Sequence, residues 1–236
     1  MNMPLNTTAN TSDPIAQARY NMIEQQIRTW NVFDRNVLET LEQVRREDFV
    51  PQAYRAMAFV DMEIPLQGNP ETAVQDGQCM LAPRVEARLL QELKLQKSDR
   101  VLEIGAGSGY MAALLAHHAD QVVSLEIDPA LVLLAQENLE RAGVRNASVR
   151  QGDGALSNIP DGPFDAILLS GSVAEVPTRL LELLREGGRL VAITGQEPVM
   201  RVTLVQKKGD RFEAFCPWDT NTARLKHFDE PSAFRF

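Results

Sequence analysis

The stretch that decides the fold covers residues 100–110 and reads Arg100-Val101-Leu102-Glu103-Ile104-Gly105-Ala106-Gly107-Ser108-Gly109-Tyr110. A short apolar strand, Val101 to Ile104, leads into a glycine-rich turn, and a helix is expected from Tyr110 to Ala116. Glycine allows tight turns and lets a ligand approach the backbone closely. The spacing G-x-G-x-G differs from the G-x-G-x-x-G of dinucleotide-binding turns, so a dinucleotide is disfavoured here.

Alternating strands and helices follow this turn. Further strands are expected at Gln121 to Glu126, Ala147 to Gln151, Phe164 to Ser170 and Arg189 to Thr194, with helices at Pro129 to Ala142 and Pro177 to Leu184. After these elements the sequence predicts a hairpin or two edge strands, at Val202 to Lys207 and Arg211 to Phe215. This alternation predicts an α/β fold with a doubly wound, mainly parallel sheet of about seven strands.

The residues before this core have a different pattern. Residues 1–12 are polar and predict a flexible tail, and residues 13–98 predict an N-terminal helical extension. Three helices are expected: one from Pro14, one after Asp34 and one from Pro83 to Leu95. The apolar face of the first helix should consist of Ile15, Met22, Ile23, Ile27 and Trp30. The segment Asp61 to Ala82 is interpreted as a substrate loop. The core is assigned to residues 99–220, and residues 221–236 are expected to form a tail.

Composition excludes several classes of function. The net charge of -8 disfavours binding to a phosphate backbone, so no nucleic acid is expected as a partner. No apolar stretch is long enough to span a membrane, and residues 1–12 lack the pattern of a signal peptide. The two cysteines, Cys79 and Cys216, form no disulfide framework, which favours the cytoplasm. No metal motif is present, because His117-His118 lacks partners at a suitable spacing.

Acidic residues end three successive strands of the predicted sheet: Glu103, Glu126 and Asp153. Ligands of open α/β sheets bind at this edge. A carboxylate beside the glycine turn would repel a pyrophosphate but suits a ligand with an ammonium and a sulfonium group. Glu126 is expected to accept hydrogen bonds from ribose hydroxyls, and Asp153 from an adenine amino group.

These motifs resemble the class I S-adenosylmethionine-dependent methyltransferases. Within that class the chain is similar to the protein-L-isoaspartate O-methyltransferase family from about Arg19 to Trp218. The more specific likeness is Val44-Arg45-Arg46-Glu47-Asp48-Phe49-Val50-Pro51, which resembles the V-x-R-x-x-F-V-P stretch of the family. The resemblance implies S-adenosyl-L-methionine as cofactor, bound by Glu103, Gly105, Ala106, Gly107, Gly109, Tyr110, Glu126, Ile127, Asp153, Gly154 and Ser170.

The resemblance also implies an acceptor, the carboxylate of an L-isoaspartyl residue in a damaged protein or peptide. The family reads G-Q-T-I-S-x-P at the loop beside the transferred methyl, whereas this chain reads Gly77-Gln78-Cys79-Met80-Leu81-Ala82-Pro83. Cys79 and Leu81 therefore stand at the catalytic positions of a threonine and a serine. Residues 170–172 read Ser-Gly-Ser where T-A-A is common in the family. Substrate contacts are expected from Gln78, Met80, Ala82, Ser172, Val176 and Trp218.

Two alternatives remain open at this point. The altered loop is consistent with a methyltransferase of the same fold that acts on a small molecule. A relative that binds the cofactor without catalysis is the second alternative. The segment Leu66 to Asp76 is longer than the corresponding link in the family.

Overall fold

The computed structural model describes residues 13–156, 159 and 161–230. The tail predicted at residues 1–12 lies outside them. In chain order the elements are α1 (Pro14–Met22), α2 (Arg35–Gln43), β1 (Ile64–Pro65), α3 (Pro70–Ala73), β2 (Cys79–Met80), α4 (Pro83–Leu93), β3 (Arg100–Ile104), α5 (Tyr110–Ala116), β4 (Gln121–Glu126), α6 (Pro129–Arg141), β5 (Ala147–Gln151), β6 (Phe164–Val173), α7 (Thr178–Glu182), β7 (Leu184–Gln196), β8 (Val199–Lys208) and β9 (Arg211–Asp219).

The core is a seven-stranded sheet in the order β5-β4-β3-β6-β7-β8-β9. The first five strands in this order pair in parallel, and β8 and β9 add an antiparallel hairpin at one edge. The predicted fold class is confirmed. β3 lies in the middle of the parallel part because its side chains are apolar on both faces: Val101 belongs to the apolar cluster with α4, α5 and α6, and Leu102 to the cluster with α7.

The first helix differs from its prediction. It changes after Met22 into a π-helical turn at Ile23–Ile27 and then into a 3₁₀ turn at Arg28–Trp30. A π turn inserts an extra residue into the helical repeat and rotates the following side chains. Ile23 and Ile27 are buried as expected, but Ile15 is 45% and Trp30 44% exposed, so the five apolar residues do not share one buried face.

The segment Asp61 to Ala82 contains regular structure that its prediction as a loop omitted. β1 and β2 pair antiparallel within it, and α3 begins at Pro70. The side chain of Asn69 accepts a hydrogen bond from the Glu71 amide at 3.0 Å and so caps this helix. The Asn-Pro start signal was present in the sequence but is easily missed in a helix of four residues.

Of the predicted C-terminal tail, residues 221–236, the structure describes residues 221–230, and residues 231–236 lie outside the described part. Residues 221–230 pack against the carboxyl ends of the parallel strands, and Leu225 and Phe228 lie against the apolar cluster on the α7 face. The Ser172 amide donates to the Ala223 carbonyl oxygen and the Leu225 amide to the Ser172 oxygen, each at 2.9 Å. Backbone groups supply this pairing, which gives no pattern of side chains in the sequence.

A buried arginine connects the N-terminal extension to the core. Arg46 is fully buried and forms an ion pair with Glu86 of α4. Its guanidinium also donates to the backbone oxygens of Ala58 and Leu81, at 3.1 and 2.8 Å, and lies 5.1 Å from the ring centre of Tyr110 in α5. These partners satisfy the charge that burial would otherwise make very costly.

No helix in the described part of the chain is long and apolar enough to cross a membrane.

We expect Arg46→Met to lower the free energy of unfolding by about 3–5 kcal/mol, because it leaves the Glu86 carboxylate buried without its partner. Urea denaturation followed by circular dichroism measures this loss. Arg35→Met is the control, since Arg35 forms an exposed pair with Glu39 and such pairs contribute about 0.3–0.5 kcal/mol. Equal effects of the two substitutions would contradict the role given to Arg46.

Candidate active site

A cavity lies at the carboxyl ends of the parallel strands β3, β4, β5 and β6, the edge at which the sequence predicts a ligand. Three parts of the chain enclose it. The strand ends, the turns after them and the first turn of α6 contribute Ile104, Gly105, Gly107, Leu125, Glu126, Ile127, Asp128, Leu131, Gly152, Asp153, Gly154 and Ser170. The loop before α4 contributes Asp76 to Cys79, and the C-terminal segment contributes Arg224, Leu225, Lys226 and Phe228.

The glycine turn after β3 has the backbone that the sequence predicts. Gly105, Gly107 and Gly109 have φ angles of 91°, 52° and 81°, which L side chains rarely adopt. Gly105 and Gly107 face the cavity, whereas a side chain on Gly109 would meet the backbone of Ala135 in α6 at 3.1 Å. The first two glycines therefore present backbone without a side chain to the cavity, and the third lets α5 and α6 approach each other.

Glu126 holds the turn at the end of β4. One carboxylate oxygen accepts the Gly107 amide at 2.9 Å and the other accepts the Asp128 amide at 3.0 Å. Each oxygen has a further lone pair, so the carboxylate can still accept hydrogen bonds from two hydroxyl groups. Its position in the cavity wall is consistent with the predicted binding of a ribose.

Asp153 lines the cavity after β5, and His227 Nδ1 lies 2.5 Å from its carboxylate. Burial raises the pKa of this carboxyl, but the hydrogen bond and charge of His227 and the backbone amides of Ala155 and Leu156 together outweigh it, so the pKa is lowered. Asp153 is therefore ionised at neutral pH and can accept a hydrogen bond from an amino group.

Glu103 lies behind the cavity wall and is not part of its lining. Its carboxyl is fully buried and accepts hydrogen bonds from the hydroxyls of Ser124 and Ser170, at 2.6 and 2.8 Å. Burial raises the pKa of Glu103 to about 7. The structure thus assigns to Glu103 a contact with Ser170, which does line the cavity, and not a direct place in its wall.

The other predicted cofactor residues fall into two groups. Ile127, Gly154 and Ser170 line the cavity together with Gly105, Gly107, Glu126 and Asp153. Ala106 and Tyr110 are buried outside the lining, as is the backbone of Gly109; the Tyr110 ring packs edge-on against Phe49 at 5.4 Å. Direct contact of these three residues and of Glu103 with a cofactor stays a prediction.

The altered loop before α4 is divided between the cavity and the core. Gln78 and Cys79 line the cavity, and Gln78 Nε2 donates to the Asp128 carboxylate at 3.3 Å. Met80, Leu81 and Ala82 are buried, and the Leu81 carbonyl oxygen is the acceptor of Arg46 described above. Of the two altered catalytic positions, only Cys79 therefore faces the cavity.

The remaining predicted substrate residues are not brought into this cavity. The buried Ser172 hydroxyl donates to the Thr222 oxygen at 2.9 Å. Val176 lines a neighbouring cavity beside Leu156 and His227. Trp218 lies under the guanidinium of Arg88 in α4, 4.4 Å from the ring centre. Their contact with an acceptor stays a prediction.

Several lining residues were missed by the analysis of the sequence. Asp128 accepts amide hydrogens of Gln67 and Gln78 as well as capping α6, and its acid-then-proline position before a helix could have marked it. Asp76, Arg224, Leu225, Lys226 and Phe228 lie in segments without periodicity. No local signal identifies them.

The lining fits the implied cofactor. Acidic groups at Glu126 and Asp153 can accept hydrogen bonds from a ribose and an adenine, and the apolar side chains of Ile104, Leu125 and Leu131 can pack against a flat ring. Gly105 and Gly107 present bare backbone to the cavity, and a Cβ atom on them would come within 3.1 Å of Leu225 Cδ2 and 3.3 Å of Leu66 Cδ1, respectively.

Comparison with known proteins agrees with this geometry. The family model described as Protein-L-isoaspartate(D-aspartate) O-methyltransferase matches residues 17–215. A protein-L-isoaspartate O-methyltransferase of Methanoculleus marisnigri is 38% identical over 202 residues, which are 86% of this chain and 88% of that protein. A second, from an Anaeromyxobacter species, is 38% identical over 213 residues, 89% of this chain and 84% of that protein.

Solved structures show the same fold. A structure of a protein-L-isoaspartate O-methyltransferase superimposes with a TM-score of 0.75 at 25% identity, and the match covers 87% of this chain but only 65% of that one. A Plasmodium falciparum structure described as a putative enzyme of this name superimposes with a TM-score of 0.71 at 21% identity, over 91% of this chain and 99% of that one. The chain therefore belongs to the protein-L-isoaspartate O-methyltransferase family of S-adenosylmethionine-dependent methyltransferases.

Proposed function

We propose that the chain transfers a methyl group from S-adenosyl-L-methionine to the carboxylate of L-isoaspartyl residues in damaged proteins or peptides. The observation that carries this proposal is the shared cavity: the loop residues Gln78 and Cys79 line the same space as Glu126 and Asp153. An acceptor held by the loop is thereby adjacent to a cofactor held by the strand ends. The family model supports the acceptor class.

The reaction requires little from the protein beyond positioning. The cofactor supplies an electrophilic methyl group bound to a sulfonium sulfur. The leaving group is therefore a neutral thioether, which needs no acid to assist it. A carboxylate with a pKa near ~4 is already ionised at neutral pH, so no side chain has to remove a proton. The residues of this chain hold the two reactants in line and exclude water. Glu126 and Asp153 would hold the nucleoside, and the turn at Gly105 and Gly107 would provide backbone contacts.

Cys79 does not act as a nucleophile in this scheme. Burial and the neighbouring carboxyls of Glu63 and Glu86 raise the pKa of its thiol to about 12. The thiolate, the reactive form, is therefore scarce at neutral pH. A neutral thiol remains a weak hydrogen-bond donor to the acceptor.

The acceptor loop has lost the hydroxyl groups typical of the family. Cys79 replaces the threonine, and Leu81 replaces the serine and is buried in the apolar core. A charge-assisted hydrogen bond that is not formed costs about 1.5–3 kcal/mol. We therefore expect slower methylation of isoaspartyl residues than a loop with both hydroxyls would support. The same observation favours the second candidate, a small-molecule acceptor in the same cavity.

We also propose the cytoplasm, a reducing compartment, as the place of action, because Cys79 and Cys216 are both free thiols.

Glu126→Gln should weaken binding of S-adenosylhomocysteine by about 1.5–3 kcal/mol, or roughly 10- to 150-fold, because an ionised acceptor of ribose hydroxyls is lost. Isothermal titration calorimetry measures the affinity. Glu137→Gln, on the exposed side of α6, is the matched control and should bind like the unaltered protein. Unchanged affinity of Glu126→Gln would remove Glu126 from the cofactor site.

Transfer of labelled methyl groups tests the acceptor. We expect label on an isoaspartyl peptide and none on the same peptide with a normal aspartyl residue. Cys79→Thr should raise the rate about tenfold, since it restores one hydroxyl donor in the cavity. Cys216→Thr, on the exposed edge strand β9, is its control. If the isoaspartyl peptide is not labelled although the cofactor binds, the small-molecule acceptor is favoured instead.

The raised pKa of Cys79 predicts selective alkylation. At pH 8 iodoacetamide should modify the exposed Cys216 and leave Cys79 unmodified, since a thiol with a pKa of about 12 is almost entirely protonated there. Modification of Cys79 should increase as the pH approaches 11. Peptide mass spectrometry reads both sites at once, and rapid modification of Cys79 at pH 8 would contradict the assigned environment.

A further inference from the structure

Two arginines of α4, one turn of helix apart, lie over tryptophan rings. The guanidinium carbon of Arg84 lies 4.4 Å from the ring centre of Trp30, and that of Arg88 lies 4.4 Å from the ring centre of Trp218. Arg84 also forms an ion pair with Asp61, which balances its charge. For Arg88, no hydrogen bond or ion pair is found with any residue that the structure describes. In this part of the chain a counter-ion thus accompanies Arg84 but not Arg88.

The surroundings of Arg88 compensate its charge only in part. Burial lowers the pKa of the guanidinium by more than the charge of Glu92, one turn further along α4, raises it. Arg88 Nε and Trp218 Nε1 are both buried without a hydrogen-bond partner among the described residues. Unpaired buried donors are rare in folded proteins. A cation and two donors therefore lie together, and the described part of the chain supplies no acceptor for them.

Trp218 lies at the edge of the sheet that also carries the cavity. It pairs with Val202 of β8, which pairs with Ile193 near the carboxyl end of β7. Ile193 in turn pairs with Ser172 of β6, two residues after Ser170 in the cavity lining. Three strand spacings of about 4.8 Å place Trp218 roughly 14 Å from Ser172 along this row. An acceptor several residues long can therefore extend from the cavity to Trp218.

An exposed aromatic side chain extends this surface. Phe215 pairs with Leu204, two residues after Val202, so it lies on the same face of the sheet as Trp218. Its side chain is 54% exposed. An apolar side chain of a ligand can pack against such a ring. Arg88, Trp218 and Phe215 are here called the Arg88 surface.

α4 connects the Arg88 surface to the acceptor loop, because the helix begins at Pro83, directly after that loop. The distance from Ala82 to Arg88 corresponds to about 9 Å along a helix axis. Residues of an extended peptide advance by about 3.3 Å each. A peptide with its isoaspartyl residue at the loop can therefore place a residue about three positions away on the Arg88 surface.

We propose that the Arg88 surface binds the acceptor peptide beside its isoaspartyl residue and selects an aspartate or glutamate about three positions away. The inference rests on the proposed methylation of isoaspartyl peptides. A guanidinium pairs with a carboxylate through charge-assisted, often bidentate hydrogen bonds. The net charge of -8 would by itself favour basic peptides, so a preference for an acidic residue at one position requires a local cation.

Methyl transfer to a series of isoaspartyl peptides tests the proposal. The peptides carry glutamate, glutamine or lysine at one position, which is moved from about two to about four residues on either side of the isoaspartyl residue. We expect one position at which the glutamate peptide has a kcat/KM about fivefold above that of the lysine peptide, mainly through a lower KM. Arg88→Glu should reverse this preference, because attraction of the carboxylate becomes repulsion.

Arg201→Glu is the matched control. It changes the net charge by the same amount, but Arg201 is exposed in β8 next to Val202 and so faces the opposite side of the sheet. This variant should keep the preference of the unaltered protein. Arg88→Gln is a milder second variant that should abolish the preference, and thermal unfolding checks that all three variants fold.

A lost or reversed preference in the Arg88 variants, with Arg201→Glu unchanged, supports the proposal. It is overturned if no position favours glutamate, or if the preference is the same with and without the Arg88 side chain. Label on no peptide would refute the proposed function and this inference with it, whereas label without a preference refutes this inference alone.

Discussion

The guanidinium of Arg46 is fully buried where the N-terminal extension, the acceptor loop and the α/β core meet. It neutralises Glu86 in α4, binds the Leu81 oxygen in the loop and lies against Tyr110 in α5. A buried charge is tolerated only when its partners are held in place. The acceptor loop must therefore stay close to α5, the first helix of the core. The shape of the cavity depends on this position of the loop.

The parallel sheet was predictable because its information is local. β3, β4 and β5 have short apolar repeats, and the glycines after β3 mark the turn wherever the rest of the chain lies. The π-helical turn at Ile23–Ile27 was not predictable, since an apolar repeat in the sequence is the same whether or not one residue bulges out. Exposed Trp30, which packs against Arg84, follows from that bulge.

Part of the site was predictable because its signals in the sequence are also local. Glu126 ends β4 and Asp153 comes two residues after β5, so their place at the edge of the sheet could be inferred. Glu103 is also at a strand end, but only the pairing of β3 with β4 and β6 shows that its carboxyl faces two serine hydroxyls. The contact of Thr222 with Glu63 joins residues 159 positions apart, and no pattern within either segment records it.

The contact between Gly171 and Leu225 joins two features that look unrelated in the sequence. The family commonly has alanine where this chain has Gly171, and Leu225 lies after residue 215, where the match to the family model ends. An alanine methyl group would stand where the Leu225 side chain lies, 2.8 Å from its Cδ2 atom. Gly171 in β6 and Leu225 in the C-terminal segment are therefore steric complements. In a chain with alanine at that position the leucine side chain would have to shift, so we expect the two positions to change together during evolution.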